Sequence, residues 1–82
     1  MSSNEFEEVE IVTEVIDDEG NVVVDDLVAV VDGDGNVLAT DETIIVETAE
    51  GDVIIDEVLS VADENGELRA VAEEITIVTT DE

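Results

Sequence analysis

Val22-Val23-Val24-Asp25-Asp26-Leu27-Val28-Ala29-Val30-Val31 lies between two turn signals, Asp18-Glu19-Gly20-Asn21 before it and Asp34-Gly35-Asn36 after it. Valine is stiff at χ1 and suits a pleated surface better than a helix. An acidic pair interrupts the run at its middle. Before the pair the apolar positions are Val22 and Val24, and after it Leu27, Ala29 and Val31. The parity changes from even to odd, as it does at a β-bulge or bend. The same pattern returns further on, where Ile55-Asp56-Glu57-Val58-Leu59-Ser60-Val61 aligns with Val24-Asp25-Asp26-Leu27-Val28-Ala29-Val30.

The repeat extends through the chain. Gly20, Gly35, Gly51 and Gly66 stand beside Asn or an acid, at intervals of 15, 16 and 15 residues. Each is the chemistry of a tight hairpin turn with one residue at positive φ. Between turns lie the acidic pairs Asp25-Asp26, Asp41-Glu42, Asp56-Glu57 and Glu73-Glu74. The pattern predicts an all-β fold with five strands over 7–16, 21–31, 36–48, 52–62 and 67–79. Short turns between consecutive strands make a five-stranded antiparallel meander. Mid-strand bulges at the acidic pairs would let it coil into a small barrel or a two-layer sandwich. A short β-solenoid is the alternative, but it would stack the acidic pairs about 4.8 Å apart, where like charges repel. Residues 1–6 are expected as a flexible acidic N-terminal arm, 7–79 as a single all-β domain, and 80–82 as a C-terminal tail.

The 82 residues carry 26 Asp and Glu against one basic residue, Arg69, for a net charge of −25, with no His. Such a balance favours disorder, but 44% of residues are hydrophobic and they alternate with polar ones. Direct binding of nucleic acid or an anionic membrane is excluded, because both need Lys and Arg to neutralise phosphates. No apolar stretch approaches the ~20 residues of a helical span. Met1-Ser2-Ser3-Asn4-Glu5 has no signal-peptide character, so a cytoplasmic or virion location is expected. The absence of Cys removes disulfides and thiolate metal sites.

Asp32, Asp34 and Asn36 alternate like the first three ligands of an EF-hand loop, but Val37 and Thr43 stand where that loop needs Gly and Glu. A hairpin turn accounts for them more simply. Non-specific association of divalent cations is expected of so many carboxylates, and no cofactor is. Paired carboxylates would need one pKa pushed away from the other to do acid–base work, and no His or Lys is present to activate a hydroxyl. The chain is therefore expected not to be an enzyme. Arg69 reads as a cross-strand ion pair or as an anchor for a partner, and Phe6 as a barrel cap or a docking residue. Glu8 and Glu10 share one strand face at about 6.7 Å, near the spacing of nucleic-acid phosphates.

In composition the chain resembles proteins of extreme halophiles, rich in Asp, Glu, Thr and Val and without Lys. The resemblance implies a salty solvent rather than a family. The expected function is structural: a small acidic β subunit that binds a protein partner or itself and decorates or stabilises a larger assembly such as a virion. A DNA-mimic inhibitor occupying the basic cleft of a DNA-binding enzyme is the alternative, and a simplified-alphabet design a further one.

Overall fold

The turns explain the architecture. In a computed structural model, which describes residues 5–79, four five-residue loops begin at Asp17, Asp32, Thr48 and Asp63 and close in the same way. The first residue's amide donates to the carbonyl of the fifth (Asp17 to Asn21, 3.0 Å; Asp32 to Asn36, 2.9 Å; Thr48 to Asp52, 2.8 Å; Asp63 to Glu67, 2.9 Å). The glycine amide at the fourth position donates back to the first carbonyl, at 2.9–3.3 Å. That glycine has φ of 93°, 89°, 101° and 82° in Gly20, Gly35, Gly51 and Gly66, the left-handed region where a Cβ would be strained. The first side chain completes the loop, as Asp17, Asp32 and Asp63 each accept two backbone amides through Oδ1. Thr48 does the same once, its Oγ1 accepting from Asp52 N at 3.0 Å.

Four such hairpins give five strands, β1 (Phe6–Ile16), β2 (Val22–Asp32), β3 (Val37–Glu47), β4 (Val53–Ala62) and β5 (Leu68–Val78). They pair antiparallel in chain order as one sheet, the expected meander, and the solenoid does not form. Phe6 opens β1 instead of belonging to an arm. Residues 1–4 of that arm and the tail 80–82 lie outside the described residues.

Two expectations are corrected. The sheet is not closed into a barrel: β1 and β5 are its two edges. Coiling was expected from a bend at each acidic pair, and pairing runs straight through those pairs, so the bends that would have closed the sheet are absent. The bulges also sit elsewhere. Pairing is regular across every acidic pair and slips instead at Leu38, which is skipped between Val31↔Val37 and Val30↔Ala39. It slips again at Val71, skipped between Leu59↔Ala72 and Ser60↔Ala70. The change of parity in β5 is therefore real, with Leu68, Ala70, Ile75 and Ile77 on one face, but its cause lies two residues before Glu73. In β2 no bulge exists, and apolar residues occupy both faces on each side of Asp25-Asp26.

Candidate interface: two sheet faces crossed by carboxylates

Residues directly opposite in the ladder share a face, so the register defines two surfaces. The Phe6 face carries the even positions of β1 and β2. It holds Glu8, Glu10 and Glu14 of β1, Asp26 of β2, Asp41 and Glu47 of β3, Glu57 of β4 and Glu74 of β5. The Val9 face is more apolar. One complete row across it is Val15, Val23, Val46, Ile54 and Ile77, and at the other end lie Val31 with Val37, beside Glu7, and Ala62 with Leu68. Between these rows its acids are Asp25, Glu42, Asp56 and Glu73.

Neither face is covered. Among the described residues none is buried, hydrophobic or polar. Large side chains stand in solvent on the edge strands, among them Phe6 at 62%, Ile11 at 56%, Ile75 at 58% and Ile77 at 63% exposure.

The acids at mid-strand meet in pairs across neighbouring strands. Glu42 is hydrogen-bonded to Asp25 and Glu73 to Asp56 on the Val9 face, Glu10 to Asp26 and Glu57 to Asp41 on the Phe6 face. Each of these four Glu carboxyls is held above its ordinary value of 4.5, first by that hydrogen bond and then by the charge or burial around it. The Oδ1 atoms of Asp25, Asp26, Asp41 and Asp56 are closed off from water and meet no donor group. A proton on the Glu neighbour, which the raised value favours, would supply the donor that the pair lacks. This band is not visible in the chain read one strand at a time. Its signal was present all the same: an acidic pair at the centre of each strand, folded back at a fixed turn interval, must meet the next pair.

The candidate residues separate clearly. Asp32, Asp34 and Asn36 lie in the β2–β3 loop, where Asp32 Oδ1 accepts the amides of Asp34 and Asn36 at 2.9 Å and Oδ2 accepts from Asn36 Nδ2 at 3.2 Å. Its carboxyl is held below 3.8 by those bonds, the Asn36 amide first. Among the described residues no group of three or more His, Cys, Asp or Glu is placed to hold a metal ion. Phe6, Glu8, Glu10 and Arg69 all fall on the Phe6 face, and Glu8 and Arg69 end the same row on opposite edges of the sheet. Arg69 is engaged within its own hairpin: Nε donates to Asp63 Oδ2 at 2.7 Å, and Nη2 lies 3.7 Å from Glu67 Oε1.

No family model, curated protein or solved structure matches this chain. Its chemistry must be read from its own surface. A shallow hollow of about 260 Å³ on the Phe6 face is lined by Val28, Val30, Ala39 and Leu59 with Glu8 and Asp41 at its side. No helix of the described residues is long and apolar enough to cross a membrane.

Proposed function

We propose that the chain is a non-enzymatic building block, a small acidic β subunit whose sheet is covered when it joins a larger assembly, and that its charge suits it to high salt. The observation that carries this reading is the missing core: five strands in one layer with no buried residue among those described. A lone sheet gains independent stability by packing an apolar face against something else. A virion shell is one assembly that offers such a surface.

The acidity fits the same role. Adjacent strands lie about 5 Å apart, which brings their carboxylates close together. Near 0.1 M salt the screening length is about 10 Å and they repel, whereas near 1 M it falls to about 3 Å. DNA mimicry is weaker on this geometry, because acids occupy both faces and every turn instead of one continuous row.

Amide hydrogen exchange of the isolated chain tests the building-block reading. In dilute solution the amides of all five strands should exchange fast, and assembly should slow them. Slow, sheet-wide protection in a dilute monomer would overturn it, because such a sheet would need no cover.

A further inference from the structure

We propose that the Val9 face is a docking surface for a second copy of this chain, so that the two-layer sandwich is completed between two chains. The inference rests on the building-block reading and names the partner that reading leaves open.

Surface area is the first support. A compact protein of 8.7 kDa exposes about 4,700 Å², whereas this chain exposes 6081 Å². The surplus of about 1,300 Å² exceeds the ~800 Å² that each partner buries in a standard stable interface. One face of five strands of 10 or 11 residues offers roughly 850 Å², at about 4.8 Å between strands and 3.3 Å per residue. Covering one face thus accounts for much of the surplus. Joining two copies edge to edge, through β1 or β5, pairs backbone groups but leaves both faces in water.

The contrast between the faces selects the Val9 side. One apolar row, from Val15 to Ile77, runs unbroken across all five strands near the β1–β2 and β3–β4 turns, and the opposite end holds Val31, Val37, Ala62 and Leu68 with Glu7 at the edge. The Phe6 face spreads Glu8, Glu10, Glu14 and Glu47 through the corresponding area. Acids on the Val9 face are gathered at mid-strand, with Glu7 apart from them on the edge. In a twofold stack the two bands cross at the centre and the apolar rows close on either side. That crossing makes association depend on screening, a second link between assembly and salt.

Sedimentation equilibrium of the full chain in about 2 M KCl, where screening is nearly complete, tests the proposal. The wild-type chain should sediment as a dimer at micromolar concentration. Val46→Asp with Val58→Asp, both on the Val9 face, should weaken the dimer about 100-fold or more. Ile45→Asp with Leu59→Asp adds the same charge to the same strands on the Phe6 face and should weaken it less than about tenfold. Because the chain has no Cys, Ala29→Cys and Ala39→Cys place single thiols on the Val9 and Phe6 faces of a chain otherwise unaltered. A short bis-maleimide should link copies through Ala29→Cys in preference to Ala39→Cys. The reverse preference, or greater loss from the Phe6-face variant, would overturn the assignment. A wild-type monomer at every concentration would also overturn it. Fast amide exchange in that monomer would leave the building-block reading standing with a different partner, and slow exchange would end both.

Discussion

Glu42 on β3 and Asp25 on β2 meet diagonally across the ladder, and a hydrogen bond between the two carboxyls is the first cause that holds Glu42 above its ordinary value. Glu10, Glu57 and Glu73 are held above their ordinary 4.5 by similar contacts. A carboxyl raised in the folded chain contributes stability that is complete below its ordinary value and is lost as pH rises through the folded value. The turn acids have the opposite sign. Asp17, Asp32 and Asp63 are held below 3.8, chiefly by Asn21, Asn36 and Arg69 respectively, so their contribution is present above that value and is lost as pH falls through the folded one. The melting temperature should therefore rise as pH is lowered from neutral towards 4.5 and fall again well below 3.8. A monotonic fall from neutral pH would remove the shared-proton account of the band. Glu42→Gln, which gives Asp25 an amide donor at every pH, should raise the melting temperature at pH 7 and flatten the gain on acidification.

Salt should act in the same direction as mild acid. With 26 acids against one base, raising KCl from about 0.1 M to about 2 M should lift the melting temperature steeply as screening shortens. Circular dichroism melts at fixed protein concentration measure it. A flat response would remove the link between charge and salty solvent.

The four glycines should not be equally sensitive. Alanine at positive φ costs on the order of 1 kcal/mol or more. At Gly66 a new Cβ meets nothing within 4 Å, whereas at Gly20 it would stand 3.3 Å from the Ala49 Cβ. That contact joins the two loops at one end of the sheet, where Ala49 N also donates to Asn21 Oδ1 at 2.9 Å. Gly20→Ala should therefore lower stability more than Gly66→Ala, as read by urea denaturation under one salt condition.

Deletions should distinguish a bulge from an acidic pair. Removing Val71 leaves Ala70 next to Ala72 and converts the β4–β5 ladder to regular pairing with every other side chain on its present face. Removing Glu74 should be partly absorbed by the same bulge. Removing Asp26 has no such reserve, because β1 and β2 pair without a break from Phe6↔Asp32 to Ile16↔Val22. One half of β2 must then slip and change face. The Asp26 deletion should lose cooperative unfolding, and the Val71 deletion should keep it. Equal behaviour of the two would show that the bulge has no role in setting register.

Much of the sheet was legible in the chain because its determinants are local. Gly20, Gly35, Gly51 and Gly66 announce their conformation by type and neighbour, and the strands between them follow within a residue or two. The bulges are not legible in the chain because Asp25-Asp26 and Glu73-Glu74 put one acid on each face, which hides where the phase changes. Val71 is an aliphatic residue like its neighbours and leaves no compositional mark. Closure is illegible for a different reason. Whether β1 meets β5 is decided by how far the sheet bends across all of its strands, a property of the pairing that a single strand does not display. The candidate residues show the same division. Asp32 announces its turn by its spacing to Gly35 and Asn36, whereas the pairing of Glu42 with Asp25 needs the register.

Because every strand contacts its neighbour in the chain and the turns are alike, the sheet has no long-range closure step. Each hairpin brings together segments separated by a five-residue loop, an event of about 1–10 μs in isolated hairpins. Strands can be added to whichever hairpin forms first, and the order of events need not be unique. Folding of one copy should then be fast and weakly favourable, with the slow, concentration-dependent phase belonging to the encounter between copies.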